Sequence, residues 1–280
     1  MKPKIHILIP TFNRSKLLLS AVQSVVDQTY TNWKLTIIDN GSTDDSVKLL
    51  KKIFPKLIKQ KKININSYRA ECMNTNMNRC MEEVGDYKYF KILMSDDKLN
   101  KNFLKIGISL LEKGNNNVVG FGSAIKLFDI NDKVIGKRTY GFLGFEFWLS
   151  VFVRNYLGTP TSHIYRASFF KKKRFKTLHY MGDIVFVSDY YIEKKKFIFS
   201  KLYLSYFRLH ENSDTGRSKY KIKKVYAKKY CREKILGKMI FRFEIFKKIL
   251  FCFSKLMFAI ELVFFKFKFK FFLSSAKNKN

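Results

Sequence analysis

Apolar and polar positions follow two alternating patterns in the first part of the chain. Short, nearly continuous apolar runs predict buried strands at residues 5–9, 34–39, 63–66 and 87–94. Between these runs, apolar residues recur every three or four positions and predict helices at residues 15–28 and 70–84. A third predicted helix contains Val47, Leu50 and Phe54 and is capped by Ser42 or Thr43. Alternating strands and helices predict an α/β fold with a mostly parallel, wound sheet flanked by helices.

The pattern changes after residue 118. From residue 118 to 140, glycines interrupt short apolar runs, which predicts a mixed sheet region with loops. Residues 183–193 predict another helix, and residues 197–209 predict two short strands that lead to His210. Beyond Arg217 the sequence is rich in Lys, Phe and Ile. We therefore divide the chain into an α/β domain, residues 1–216, and a tail, residues 217–280.

The tail has the pattern of a basic amphipathic helix. Apolar residues recur in steps of three and four from residue 239 to 264, and basic residues lie among the other positions. The most apolar stretch, residues 249–265, contains Lys255 and Glu261 and is shorter than the roughly 20 residues of a spanning helix. We expect a helix that lies in the membrane interface. Packing on its own domain or on a second subunit is the alternative.

The charge of the chain indicates a polyanionic partner. The 280 residues include 55 Lys and Arg against 22 Asp and Glu, a formal net charge of +33. Residues 217–280 hold 19 basic and 3 acidic residues, so the tail is strongly basic. Such an excess attracts nucleic acid, anionic lipid headgroups or phosphate-bearing substrates. A lysine-rich surface that reflects biased composition is the plainer explanation.

Cysteine spacing and the N-terminal residues indicate a reducing compartment. The four cysteines show no C-x-x-C spacing, which argues against a zinc site or a disulfide framework. The apolar run after Lys4 ends at Pro10 and is shorter than the roughly 7–15 apolar residues of a signal peptide. We therefore expect the α/β domain to remain in the cytoplasm.

Two predicted strands run into acidic turns. The segment TIID ends at Asp39, and the segment ILMSDD ends at Asp96 and Asp97. Carboxylates at the carboxyl ends of parallel strands lie where open α/β sheets bind ligands. Adjacent carboxylates are also suitable oxygen ligands for Mg²⁺ or Mn²⁺. Asp39 has a plainer alternative role as the cap of the turn that contains Gly41 and Ser42.

These segments resemble the inverting glycosyltransferases of family 2, which have the GT-A fold. The resemblance covers about residues 4–215 and is carried by the segments IPT, TIID, NMNR, ILMSDD and FRLHENSD. It implies that Pro10, Thr11 and Asp39 hold the base of a nucleotide and that Asn76 lies near the nucleotide. A carboxylate suits this task because it accepts a charge-assisted hydrogen bond from a base N–H.

The same resemblance assigns a divalent metal ion, Mn²⁺ or Mg²⁺, to the second acidic turn. It implies that Asp97 binds the metal directly, that Asp96 lies near the ribose, and that His210 reaches the metal or the diphosphate. Such a metal neutralises the diphosphate leaving group. Met94 stands where the fullest family pattern has a first Asp.

Inversion needs a carboxylate that deprotonates the acceptor hydroxyl as it attacks the anomeric carbon. The family's base opens a helix some distance before the His, and Asp183, 27 residues before His210, is the candidate. Gly182 stands where the family often has Glu, and Asp189 is the fallback. Residues 158–163 resemble a family loop near the donor sugar and acceptor; a simple proline-containing turn is the alternative.

Together these features predict an enzyme that transfers sugar from a nucleoside diphosphate sugar to a hydroxyl of a glycan or glycolipid acceptor. We expect its tail to lie on the inner face of an anionic membrane and expect no nucleic-acid partner. A nucleotidylyltransferase would need a glycine-rich phosphate loop after the first strand, and no glycine precedes Gly41. A nucleic-acid-binding protein would account for the charge. A catalytically inactive family member is the third alternative.

Overall fold

The computed structural model describes residues 4–140, 158–175, 195–210 and 254–260, together with Phe186, Tyr190, Glu193 and Cys252. This part of the chain contains the strands β1 (Ile5–Thr11), β2 (Trp33–Asp39), β3 (Ile63–Ser67), β4 (Tyr89–Ile92), β5 (Lys98–Leu99), β6 (Val118–Phe128), β7 (Val134–Arg138), β8 (His163–Arg166) and β9 (Lys196–Arg208). Its helices are α1 (Ser15–Val26), α2 (Ser46–Ile53), α3 (Pro55–Lys59), α4 (Met73–Glu83), α5 (Phe103–Lys113) and α6 (Ala167–Phe170), with a 3₁₀ turn at Pro160–Ser162.

All nine strands belong to one sheet with two distinct halves. The strand order is β3-β2-β1-β4-β8-β6-β9-β5, and β7 extends the sheet beside β6. In the first half, β1 pairs in parallel with β2 and β4, and β2 pairs in parallel with β3. In the second half, β8 is antiparallel to β4 and β6, whereas β9 is parallel to β6. The α/β prediction is therefore confirmed, with parallel pairing before residue 118 and mixed pairing after it.

Alternating side chains of β1 pack against helices on both faces of the sheet. Ile5, Ile7 and Ile9 belong to a core that includes residues of α1, α2 and α5. Leu8 points to the opposite core, which includes residues of α4 and α6. Because successive side chains of a strand point to opposite faces, a continuous apolar run is what a strand covered on both sides requires. This three-layer packing holds the parallel strands in place, so that their carboxyl ends lie together along one side of the sheet.

The prediction of two short strands at residues 197–209 is wrong, because β9 runs unbroken from Lys196 to Arg208. Ser200 pairs with Ser123 and Tyr203 pairs with Ala124, so the two intervening residues of β9 bulge from the ladder. The polar interruption in the sequence therefore marks a β-bulge inside one strand.

The predicted cap of helix α2, the helix that contains Val47 and Leu50, is also wrong. Helix α2 begins at Ser46, and the Ser42 hydroxyl instead accepts a hydrogen bond from the Asn13 backbone N–H at 2.9 Å. The Asn13 side-chain oxygen accepts from the Thr43 N–H at 2.8 Å. Ser42 and Thr43 thus join the β1–α1 loop to the turn after β2, which is a tertiary contact that helix-capping rules do not address.

The described part of the tail is short. Residues 254–260 are helical, as predicted for this stretch. Leu256 is 56% exposed and Ile260 is 40% exposed, whereas Ser254 is buried. Within the described ranges, no helix is long and apolar enough to cross a membrane. The predicted domain boundary after residue 216 lies outside the described residues.

Candidate active site

The carboxyl ends of the parallel strands bring the first predicted residues together. Thr11 at the end of β1 pairs with Asp39 at the end of β2, and Asp39 pairs with Ser67 at the end of β3. Pro10 lies one position earlier in the same ladder. We call this group of strand ends the first-half edge. The acidic turn after β4 follows on the other side of β1.

Asp39 is buried and braced by its own turn. Its carboxylate accepts a hydrogen bond from the Ser42 N–H at 3.1 Å, and its carbonyl oxygen accepts from the Tyr68 N–H at 2.8 Å. Gly41 has a φ of +77°, and an added Cβ would lie 2.9 Å from the Tyr68 carbonyl oxygen, so the close turn requires glycine here. Asp39 therefore serves as a turn cap and also presents a buried carboxylate at the edge of the sheet.

Two buried polar atoms at the first-half edge have no hydrogen-bond partner among the described residues. They are the hydroxyl oxygen of Thr11 and the side-chain carbonyl oxygen of Asn76. The amide nitrogen of Asn76 donates to the carbonyl oxygen of Ile38 at 3.2 Å, which sets α4 against the end of β2. Buried polar groups in native proteins are almost always satisfied, so these two oxygens fit a site that receives a polar ligand or water.

Arg79 of α4 braces the loop beside this edge and was not assigned a role from the sequence. Its guanidinium donates to the Asn40 side-chain oxygen at 2.8 Å and to the Glu71 carboxylate at 3.2 Å, and it stacks over the Tyr68 ring at 4.7 Å. The amide of Asn40 donates to the Glu71 backbone oxygen at 2.8 Å. These contacts hold the turn after β2 and the loop after β3 as one surface.

The acidic turn uses its two aspartates differently. Asp97 is 1% exposed, and its two carboxylate oxygens accept hydrogen bonds from the Thr161 hydroxyl and from the Arg208 N–H, the latter at 2.9 Å. Burial, followed by the charge of Asp96, raises the pKa of Asp97 well above its usual range. Asp96 is less buried, and one of its carboxylate oxygens lies 3.1 Å from Nε2 of His210.

His210 reaches this turn because of the order of the strands. The antiparallel strand β8 lies between β4 and β6, so β6 and its parallel neighbour β9 run in the same direction as β4. The carboxyl end of β9 therefore lies at the same edge of the sheet as the acidic turn. Nε2 of His210 also lies 3.5 Å from the guanidinium of Arg14.

Arg208 anchors the same region from within the sheet. Its buried guanidinium donates to the backbone oxygen of Asp96 at 3.0 Å, to that of Asp129 at 2.7 Å and to the Asp132 carboxylate at 2.7 Å. Arg208 and Arg14 thus place positive charge beside the acidic turn. Neither arginine was assigned a role from the sequence, in which the segment FRLH is the only signal for Arg208.

The Asp96–His210 pair fits a divalent metal that takes its other ligands from a bound molecule. A carboxylate and an imidazole are ligands for Mn²⁺, and Mg²⁺ commonly binds one or two carboxylates together with substrate phosphates and water. Among the described residues, no group of three or more His, Cys, Asp or Glu is arranged to hold a metal. A metal at this turn would therefore depend on oxygens supplied by its ligand.

The loop at residues 158–163 lies directly on the acidic turn, because Thr161 donates its hydroxyl to Asp97 and accepts from the Met94 N–H at 3.4 Å. Asp183 and the fallback Asp189 lie outside the described residues. The structure therefore brings together the predicted residues at the two ends of the site, whereas the predicted base belongs to a segment it does not describe.

Sequence comparison identifies the kind of protein that shares these features. The family model described as Glycosyl transferase family 2 matches residues 6–174. A GalNAc(5)-diNAcBac-PP-undecaprenol beta-1,3-glucosyltransferase of Campylobacter jejuni is 23% identical over 200 residues, which cover 70% of this chain and 62% of that protein. The chain spans about a sixth to three fifths of the length of the curated relatives that it matches.

Two solved structures share the fold. Residues 1–349 of Staphylococcus aureus TarS, in complex with UDP-GlcNAc, match with a TM-score of 0.66 and 14% identity over 89% of this chain and 70% of that chain. The mannosyltransferase PcManGT of Pyrobaculum calidifontis, in complex with GDP-Man and Mn²⁺, matches with a TM-score of 0.61 and 12% identity over 94% of this chain and 75% of that chain. Likeness at this identity concerns the fold alone, and it confirms the predicted GT-A architecture.

Proposed function

The chain belongs to glycosyl transferase family 2, and on that premise we propose that it transfers a sugar from a nucleoside diphosphate sugar to a hydroxyl group of a glycan acceptor. The observation that carries the proposal is the arrangement of one sheet edge. At the first-half edge, the buried carboxylate of Asp39 lies with the oxygens of Thr11 and Asn76, which have no hydrogen-bond partner in the described part of the chain. At the acidic turn, an Asp–His pair is flanked by arginines. A base with hydrogen-bonding edges matches the first end, and a diphosphate matches the second.

We assign nucleotide binding to Pro10, Thr11, Asp39 and Asn76. Asp39 can accept from a base N–H, and this charge-assisted hydrogen bond is strong in a buried setting. The hydroxyl of Thr11 and the carbonyl oxygen of Asn76 are buried and lack partners among the described residues, so a ligand that reached them would satisfy both. Support for this class of donor comes from TarS and PcManGT, whose structures contain UDP-GlcNAc and GDP-Man.

At the diphosphate end, we propose that Asp96 and His210 hold the divalent metal. The sequence had assigned direct ligation to Asp97 and a place near the ribose to Asp96. The contacts favour Asp96, because both oxygens of the buried Asp97 already accept hydrogen bonds within the protein. When bound, Mn²⁺ or Mg²⁺ would stabilise the negative charge that develops on the diphosphate leaving group. The guanidinium of Arg14 would add to this stabilisation.

Asp183 is our candidate for the general base that accepts the proton of the acceptor hydroxyl. In the proposed step, its carboxylate takes the proton of the acceptor hydroxyl while that oxygen forms a bond to the anomeric carbon. The bond from the anomeric carbon to the diphosphate oxygen breaks, and the nucleoside diphosphate leaves with the electron pair. Attack from the face opposite the leaving group inverts the anomeric configuration. The support for Asp183 is its position in the sequence, 27 residues before His210.

The acceptor that we propose is a surface glycan carried on a lipid at the cytoplasmic face of a membrane. The Campylobacter relative is named for an undecaprenol-linked acceptor. The basic, Phe-rich tail is suited to anionic headgroups, and its described turn exposes Leu256 and Ile260. A lipid-linked acceptor and a tail in the membrane interface would bring enzyme and substrate to the same surface.

A panel of nucleotide sugars tests the proposed function. UDP-, GDP-, TDP- and CMP-linked sugars would be added with Mn²⁺, and thermal stabilisation and release of the free nucleotide would be measured. We expect a nucleoside diphosphate sugar to stabilise the protein and to be turned over slowly with water as acceptor. Added chelator should abolish both effects. If no member of the panel stabilised the protein, the proposal would be contradicted.

A further inference from the structure

We propose that Lys91 is a positioning residue for the diphosphate end of the site, where its buried ammonium group holds Thr161 and Thr161 in turn holds Asp97. This inference rests on the proposed function, because its consequence for binding concerns the metal and the nucleotide. Lys91 lies on β4, three positions before Met94 and the acidic turn. It touches neither of the residues that we assign to the metal, so its effect must pass through others.

The surroundings of Lys91 are built for a cation. The residue is fully buried, and its Nζ donates to the carbonyl oxygen of Thr161, lies 3.2 Å from that of His163 and lies 3.5 Å from that of Pro160. The ring of Phe103 lies 4.3 Å from Nζ on another side. An ammonium group has three donors and no acceptor, which matches three converging carbonyl oxygens and an aromatic face.

Thr161 connects this cation to the acidic turn. Its carbonyl oxygen accepts from Lys91, while its hydroxyl donates to Asp97 and accepts from the Met94 N–H at 3.4 Å. The other carboxylate oxygen of Asp97 accepts from the N–H of Arg208, two residues before His210. One series of contacts therefore runs from Lys91 to both strand ends that carry the metal pair.

Lysine is a costly choice for this position unless the contacts serve a purpose. The other residues of β4 are Tyr89, Phe90 and Ile92, all buried, and an apolar side chain would pack there without removing a charge from water. Burial lowers the pKa of Lys91 well below its usual range, and the charge of Asp97 opposes this shift. What an apolar side chain lacks is a donor for the three carbonyl oxygens of the 158–163 loop.

The experiment compares Lys91→Met with Thr161→Val, the double variant and a matched control, Tyr89→Phe. Methionine keeps much of the lysine stem but removes the ammonium group, and valine removes the Thr161 hydroxyl. Tyr89→Phe deletes a polar contact of the same strand, because the Tyr89 hydroxyl bonds Glu112 at a distance from the loop. Binding of Mn²⁺ would be titrated calorimetrically in the presence of UDP and, separately, of GDP, below the melting temperature of every variant.

We expect Lys91→Met and Thr161→Val each to weaken Mn²⁺ binding by about 10–100-fold, the usual cost of losing a group that orients metal ligands. The double variant should be little worse than either single variant, because both changes break the same series of contacts. Tyr89→Phe should leave Mn²⁺ binding unchanged even if its melting temperature falls. If Lys91→Met does not fold, Thr161→Val against wild type carries the same expectation.

A lower melting temperature with unchanged Mn²⁺ binding in Lys91→Met and Thr161→Val would reduce Lys91 to a structural role and overturn the inference. Fully additive losses in the double variant would also overturn it, since they would mean separate routes. If the wild-type protein binds no Mn²⁺ in the presence of either UDP or GDP, the proposed metal site itself fails, and the inference fails with it. That outcome appears in the wild-type titration, whereas failure of the inference alone appears in the comparison with the variants.

Discussion

The two ends of the candidate site are assembled over different distances along the chain. At the first-half edge, the contacts that brace the turn after β2 join residues at most 39 positions apart, such as Asn40 with Glu71 and Arg79 with Asn40. At the acidic turn, Thr161 and Asp97 are 64 positions apart, and His210 and Asp96 are 114 positions apart. The first end therefore belongs to one continuous part of the chain, and the second is assembled from the whole domain.

The two ends also differ in what they leave available. The first-half edge keeps the oxygens of Thr11 and Asn76 without partners among the described residues, as a receptor for a polar ligand does. At the acidic turn, internal hydrogen bonds occupy both carboxylate oxygens of Asp97, whereas Asp96 is less buried and pairs with His210. The difference teaches that adjacent, chemically identical carboxylates can differ in burial and in internal hydrogen bonds, and this difference is the basis on which we propose a ligand-binding role for Asp96 and a structural one for Asp97.

The largest effect should come from Asp183→Asn. This variant tests whether the general base is a residue that belongs to neither end of the nucleotide site. The amide cannot accept the acceptor proton, so kcat should fall by roughly 10²–10⁴, while donor binding measured by calorimetry should stay near the wild-type value. Asp189→Asn, six positions later in the chain, is the matched control and should retain activity. Loss of donor binding with normal turnover of the bound donor would show that Asp183 is misassigned.

The next effect separates the two neighbouring aspartates. Asp96→Asn should lower kcat by roughly 10²–10³, in the range for loss of one group that stabilises developing charge, and should weaken Mn²⁺-dependent nucleotide binding. Asp97→Asn should lower the free energy of unfolding by about 1–3 kcal/mol, because an amide nitrogen would meet one of two donors. It should weaken Mn²⁺ binding only as far as loss of the Thr161 contact does, and so less than Asp96→Asn.

The exposed Asp86, which pairs with Lys171 at 3.5 Å, supplies the control Asp86→Asn. That control should change neither kcat nor Mn²⁺ binding. If instead Asp97→Asn loses Mn²⁺ binding and Asp96→Asn keeps it, direct ligation returns to Asp97 and the comparison between the two carboxylates is broken.

A smaller effect is expected at the first-half edge. Asp39→Asn should weaken donor binding by about 10–100-fold, since a hydrogen bond to a charged group contributes about 1.5–3 kcal/mol. The value of kcat at saturating donor should change little, because we assign Asp39 to the nucleotide's base and not to the reacting groups. Asp27→Asn, at the end of α1, removes a carboxylate that bonds Gln23 at 2.7 Å and is the control. If Asp39→Asn lowered kcat as much as Asp96→Asn does, it would argue against separate roles for the two ends in donor binding and in catalysis.

The smallest effect on the reaction should come from deleting residues 239–280. Transfer to a short soluble acceptor should survive, because every residue assigned to the site precedes Arg217. Binding to liposomes with anionic lipid should be lost, since each basic residue near such a surface contributes about 1 kcal/mol and the apolar face adds to it. High salt should release the full-length protein only partly. Neutral liposomes are the control, and continued sedimentation of the truncated protein with anionic liposomes would rule out this role for the tail.

Particular residues show how far the sequence reached. Thr11, Asp39 and the acidic turn were placed correctly at strand ends, because apolar runs and the turns that close them are local properties of the chain. The bulge in β9 was misread as a break, since a polar residue inside a strand looks like a turn until its partner strand is known. The pairing of His210 with Asp96 was likewise beyond the pattern, since the family resemblance had assigned the metal to Asp97 and a place near the ribose to Asp96.

The sequence by itself determined the alternation of strands and helices, the acidic strand ends and the family to which the chain belongs. Only the tertiary structure decided which carboxylate is buried, which arginines flank the turn, and that Lys91 bonds the loop that lies on it. The physical reason is that periodicity is written in neighbouring residues, whereas burial and hydrogen-bond partners depend on strand order. Two antiparallel pairings across β8 bring the end of β9 to the end of β4, and no short segment contains that information.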